Sequence, residues 1–231
     1  MQVASKAPKL RTEVRQAKLV EAALLLAAQH SPADITTTHL AQAVGITQGA
    51  VFRHFESKEA IWLAALDWVT QTLMARLHSA AQTALGHPCA EVDNTLAQPA
   101  ATPINTGERP ALAALRAVFM AHVSFVVEHP GVPRVIFQEL QHPGDTALKA
   151  SVRTLMQQYR QLVMQLLTQA QAANTLAPGV DLPSAAVLFL GSVQGLVMQS
   201  LITGDVAAMT RQAPGVFAIF ERGVLDLTPS F

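Results

Sequence analysis

One stretch, residues 36–61 (TTTHLAQAVGITQGAVFRHFESKEAI), limits what this chain can fold into more than any other. Three threonines open it, and each can cap a helix because its hydroxyl accepts a bond from an orphaned backbone N–H. The apolar-patterned run HLAQAV follows and meets Gly45, the residue type that closes a helix in the left-handed conformation without steric cost. Ile46 is placed to fill the turn, and Thr47 is a second cap, for a short helix over QGAVFRHF. Ser57 opens a third helix. Two short helices around a tight glycine turn make a helix-turn-helix, the motif that lays its second helix in the major groove of DNA.

The spacing is also specific. Thr36, Leu40, Ala41, Val44, Gly45, Ile46, Thr47, Gly49, Phe52, His54, Phe55, Ser57, Lys58 and Glu59 resemble the DNA-binding signature of the TetR/AcrR family of bacterial repressors. Two positions depart from it: Leu40 stands where Ile is usual, and Phe52 where Tyr is usual. The Phe keeps the packing ring and lacks the hydroxyl that could bond a phosphate. The resemblance implies an all-α chain with a three-helix DNA-binding head and a C-terminal helical domain that binds an effector and dimerises. It further implies a homodimer built from the last two helices, and a repressor that a small molecule releases from its operator.

Composition agrees with a helical protein that hides much of its surface. Half of the 231 residues are hydrophobic, 14% are charged, and strand-forming residues do not alternate anywhere. The net charge is zero, yet Lys6, Lys9, Arg11, Arg15 and Lys18 face only Glu13 in the first twenty residues. Such a basic arm can supply phosphate contacts locally; a solvated tail over residues 1–10 is the other reading. A single cysteine, Cys89, excludes an internal disulfide framework and fits a reducing cytoplasm. No apolar segment follows the basic N-terminus, so no signal peptide is expected. Ala185 to Thr203 carries no charge and is long enough to cross a bilayer. Its Ser192, Gln194, Gln199 and Ser200, and the absence of a second such stretch, favour a subunit interface over a membrane span.

Helical periodicity divides the rest. Residues 14–29 form a first helix that packs over the two short ones, and 58–84 a long helix leading away from the head. Further helices are expected over 110–129, 133–141, 145–173, 183–203 and 214–225, with the last beginning at Pro214. Residues 86–107 hold Pro88, Pro99 and Pro103 without a helical period, and read as a long flexible loop of no evident purpose. The expected division is therefore a DNA-binding head over 1–57 and an effector-binding and dimerisation domain over 58–231.

The chemistry expected of the head is recognition of a palindromic double-stranded operator. Thr47, Gln48, Ala50, Arg53 and His54 fall on the exposed face of the second short helix. Gln48 can pair an adenine, Arg53 a guanine or a phosphate, and Ala50 can touch a thymine methyl. Gly49 lets the backbone approach the groove. Thr36, Thr37 and Lys58 are placed to hold phosphates, the threonines aided by a helix N-terminus. Phe52 is assigned a backbone contact and Phe55 core packing, while His39 has either a role here or none. In the second domain, Phe119, Phe137, Met156 and Phe189 are candidates to line an apolar pocket, with His122, Tyr159 and Gln194 as polar anchors; for any one of them plain core is the favoured reading. Gly191 and Gly195, one turn apart, with Met198 beyond them, mark the close-approach face of a dimer.

Enzyme chemistry has little to support it: no histidine or cysteine pair has metal-ligand spacing, and no glycine-rich loop follows a strand. No metal and no cofactor is expected. The ligand should be uncharged or weakly polar. A protein partner in place of a small-molecule effector is the rival reading.

Overall fold

The structure is a computed structural model that describes residues 7–86 and 109–225. The expected loop over 86–107, apart from Gly86, lies outside the described residues, as do Cys89 and Lys6. Among the described residues the chain is helical: α1 (Ala7–Gln29), α2 (Thr37–Val44), α3 (Gln48–Val51), α4 (Lys58–Ala84), α5 (Pro110–Glu128), α6 (Gly131–Leu140), α7 (Ala147–Ala172), α8 (Leu182–Thr203) and α9 (Ala208–Val224). An isolated antiparallel bridge pairs Leu176 with Leu225. These helices form two compact units, residues 1–72 with 128–156, and residues 73–127 with 157–231. The chain passes between the units within α4, α5 and α7.

The first unit is held by side chains that local sequence places inward. Leu19, Ala23 and Ala27 of α1, Leu40 of α2, Val51 of α3 and Ile61 and Ala65 of α4 are fully buried. Ile35 joins them from the α1–α2 loop. Helix α2 starts at Thr36, whose hydroxyl accepts the His39 N–H, and it ends at Gly45, which adopts φ +70°. The Ile46 N–H reaches back to the Ala41 carbonyl and the Gly45 N–H to that of Gln42, the paired bonds of a Schellman close. Only a residue free of Cβ strain adopts that φ cheaply, which is why a glycine stands at the turn.

Four expectations need correction. The first helix was expected over residues 14–29, but α1 begins at Ala7. The second short helix was expected over residues 48–55, but α-helical geometry covers Gln48–Val51 only. Beyond it, Arg53 and His54 N–H groups bond carbonyls three residues back, at Ala50 and Val51, so the chain tightens into turns. Helix α9 begins at Ala208, not at Pro214, because the Asp205 carboxylate accepts the Ala208 N–H and opens the helix there. Pro214 sits inside it, where its missing N–H deprives the Thr210 carbonyl of the usual partner. Finally, α8 is not alone in being long and apolar enough to cross a membrane, since α5 meets the same measure. Half of that α5 stretch is buried, including Leu112, Leu115, Val118 and Phe119, as expected of a core helix.

Helix α6 packs against α1 at close range. A Cβ added to Gly131 would lie 2.1 Å from the Leu24 carbonyl oxygen and 2.9 Å from the Ala28 nitrogen, both backbone atoms that cannot rotate away. Gly131→Ala is therefore expected to destabilise the protein by about 1–3 kcal/mol, the usual cost of forcing extra volume into a packed contact. Gly144→Ala, with nothing within 4 Å of the added carbon, is the control and should be near neutral in urea unfolding. Equal stability of the two variants would show that α1 and α6 separate freely.

Candidate nucleic-acid interface

The residues expected to read DNA fall into two groups in the first unit. Thr36, Thr47, Gln48, Gly49, Phe52 and Arg53 are exposed, and half of the Phe52 surface is open to solvent. Thr47 caps α3 by accepting the Ala50 N–H at 3.3 Å, and Ala50 is half-buried within the one-turn helix. The Gln48 amide donates to the Thr37 hydroxyl at 2.9 Å, so a candidate base-reading side chain of α3 is tied to a candidate phosphate-holding side chain of α2. A Cβ at Gly49 would meet nothing within the protein, so no intramolecular contact requires a glycine there.

The other group turns inward. The His54 Nδ1 is buried without a hydrogen-bond partner, and the His54 carbonyl accepts from the Gln16 amide of α1 at 2.9 Å. Phe55 is half-buried. The Lys58 ammonium donates to the Ala33 carbonyl at 2.9 Å. Partial burial lowers the Lys58 pKa, and the nearby Asp34 carboxylate opposes that shift. Lys58 is thus engaged with the α1–α2 loop in the free protein.

Two contacts in this region went unread in the sequence. His39 accepts the Thr36 N–H on Nδ1 at 3.3 Å while the Thr36 hydroxyl accepts the His39 N–H, a reciprocal capping box. The threonine-x-x-histidine spacing carries that signal, with histidine where Glu or Gln is usual. The Gln16–His54 bond joins residues far apart in the chain and had no local signal.

In the second unit, Phe119, His122, Tyr159 and Phe189 come together in one aromatic cluster that also holds Phe217 and Phe220. Phe119 and Phe189 meet edge to face at 5.4 Å, as do Phe189 and Phe220. His122 Nδ1 and the Tyr159 hydroxyl share a hydrogen bond of 3.1 Å, and their rings lie 5.1 Å apart. Burial pulls the His122 pKa down to about 4 and pushes that of Tyr159 up, so both are neutral at pH 7. Phe137 and Met156 belong to the first unit and are half-buried there, while Gln194 lies on the exposed side of α8. That side also carries Val187, Leu188, Gly191, Gly195, Met198 and Ile202, an apolar stripe without a charge. Ile219 of α9 is exposed as well, by 72%. Among the described residues, no group of three or more His, Cys, Asp or Glu is placed to hold a metal ion.

A capped helix-turn-helix with an open reading face, on a chain that is helical among the described residues, defines a DNA-binding regulator. Residues 19–65 match the family described as bacterial regulatory proteins, tetR family, and residues 138–215 match the tetracyclin repressor-like C-terminal domain. The chain belongs to the TetR family of transcriptional regulators. It is 26% identical over 148 residues to the nucleoid occlusion factor SlmA of Actinobacillus pleuropneumoniae, a match that spans 64% of this chain and 61% of that protein. Its fold is similar to that of the fatty acid degradation regulator FadR of Bacillus halodurans (TM-score 0.71, 15% identity, 95% of this chain and 97% of that one). FadR of Bacillus subtilis, solved in complex with stearoyl-CoA, is also similar (TM-score 0.69, 15% identity, 90% and 98%).

The half-buried His122 gives stability a defined pH dependence. In the unfolded chain it takes up a proton near its ordinary value of 6.5, whereas in the folded protein it stays neutral down to about pH 4. Between those limits the unfolded state binds more protons, so stability is full above 6.5 and falls as the pH drops towards 4. The slope approaches about 1.4 kcal/mol per pH unit for one such group. Urea unfolding of wild type and His122→Gln across pH 4–7 should show this component in the wild type and its loss in the variant. Parallel curves would mean that His122 titrates alike in the folded and unfolded chain.

Proposed function

We propose that the chain is a homodimeric, cytoplasmic repressor that binds a palindromic double-stranded operator and is released from it by a small, apolar ligand. The observation that carries the reading is the joined face of α2 and α3. Thr36, Thr47, Gln48, Gly49 and Arg53 stand open on capped helix ends, with Gln48 fixed by Thr37. On this reading Gln48 and Arg53 meet base edges, Ala50 touches a thymine methyl, and Gly49 lets the backbone come close to the groove. Thr36, Thr37 and Phe52 meet the sugar-phosphate backbone. His54, with its ring nitrogen buried, supports the turn behind α3. Lys58 gives one of its three N–H donors to the Ala33 carbonyl and keeps the others for a phosphate.

Residues 1–57 carry this reading role, and residues 58–231 supply effector binding and dimerisation. The uncharged stripe on α8, through Gly191, Gly195 and Met198, supports pairing with a second copy, since small residues let helices approach closely and exposed apolar area is lost to water on pairing. The aromatic cluster around Phe119 and Phe189, with the neutral His122–Tyr159 pair as its polar anchor, supports a ligand that carries no strong charge. The ligand must favour the form of the dimer whose two heads do not fit half-sites about 34–36 Å apart.

The test begins by enriching duplexes from a random pool on the full chain. Apolar compounds that raise its melting temperature are then added to the protein–duplex complex. Release of the duplex by such compounds is the expected result. Compounds that stabilise the protein and leave duplex affinity unchanged would contradict coupling, and inducers that are all strongly anionic would contradict the apolar pocket.

A further inference from the structure

The α1–α2 loop fixes where α2 begins, and its middle residue, Ala33, is gripped from two directions. The Ala33 N–H donates to Gln138 Oε1 at 2.9 Å, and the Ala33 carbonyl accepts from Lys58 Nζ at 2.9 Å. The Ser31 hydroxyl adds a longer bond of 3.5 Å to the same Gln138 oxygen. Lys58 is the first residue of α4, and Gln138 lies on α6, more than a hundred residues along the chain.

Helix α6 is well placed to hold this position. Its first residue, Gly131, is pressed on the α1 backbone at Leu24 and Ala28, so it cannot slide along α1 without collision. Two turns further on, Gln138 reaches past the end of α1 to the loop. The neighbouring Glu139 is buried and accepts the Thr146 hydroxyl, and Lys149 Nζ donates to the His142 carbonyl at 2.6 Å, which together secure the far end of α6. From Ala33 the chain runs through buried Ile35 to the cap Thr36, and then to Thr37, which accepts from Gln48 of α3. Any shift of the Ala33 peptide is therefore passed to the two threonines and the reading glutamine.

We propose that Gln138 is a positioning residue for DNA binding. It touches no DNA itself, and holds the α1–α2 loop so that the N-terminus of α2 and Gln48 meet the duplex in register. This inference rests on the DNA-binding reading above, and adds to it that α6 sets the geometry of the reading face.

The test uses the full chain and the duplex that wild type enriches. Gln138→Leu removes the acceptor, and Gln138→Glu keeps an oxygen in reach of the Ala33 N–H. Gln138→Leu should bind about fivefold more weakly, the scale of one neutral hydrogen bond. Its salt dependence should match wild type, because no phosphate contact is lost. Gln138→Glu should recover most of the affinity, and the Ala33 amide should exchange faster in Gln138→Leu than in wild type. Affinity of Gln138→Leu within twofold of wild type, or equal loss in both variants, would overturn the proposal; so would a shallower salt slope. If Gln138→Leu does not fold, wild-type exchange decides: a protected Ala33 amide supports the clasp, and one that exchanges as an open loop refutes it. Failure of wild type to enrich any duplex would refute the DNA-binding reading instead, and Ala33 exchange would still judge the clasp by itself.

Discussion

A reading helix of one turn cannot hold itself. Isolated helices of that length do not persist in water, because nucleation fixes several residues for each hydrogen bond gained. Helix α3 exists because its neighbours impose it. Thr47 caps it, Val51 anchors it in the core, Gln48 ties it to Thr37, and Gln16 holds the carbonyl of His54 just beyond it. Helix α2 depends in turn on the Thr36–His39 box and on the clasp around Ala33. The capping and clasp bonds are each worth about 1 kcal/mol or less in solvent, so the precision of the face comes from their number.

The second unit answers a different constraint. Its core places a hydrogen-bonded pair, the half-buried His122 and the buried Tyr159, beside the rings of Phe119 and Phe189. Breaking one partner of such a pair leaves the other without compensation in an apolar setting, so the two are held together or both replaced. On the outside, α8 exposes Val187, Leu188, Met198 and Ile202. A stripe of that extent on a lone subunit is a liability; covered by a second copy it becomes an interface.

What could be read from the sequence was local. Thr36, Gly45 and Thr47 announce their caps within four residues, and helical periodicity located α4, α5, α7 and α8 to within about three residues, in line with the usual fraying of helix ends. The extent of α3 was not legible, because its continuation depends on whether N–H groups reach three or four residues back. The start of α9 was hidden by Pro214, which signals a helix start by itself and was overridden by the turn before Ala208, whose N–H the Asp205 carboxylate accepts. Gln16 and Gln138 were missed for a different reason: each bonds a backbone atom far away in sequence, and nothing in their own neighbourhood marks them. The aromatic positions were legible as apolar, but only packing separated Phe119, Tyr159 and Phe189, which share one cluster, from Phe137 and Met156, which belong to the other unit.

A one-turn helix offers few base contacts, so the account requires two copies reading one site together. Sedimentation of the complex with an enriched duplex, combined with a footprint on that duplex, tests this most directly. Two chains per duplex and a symmetric footprint, with half-site centres about 10 base pairs apart, are the predicted result. One chain per duplex with an asymmetric footprint would contradict it.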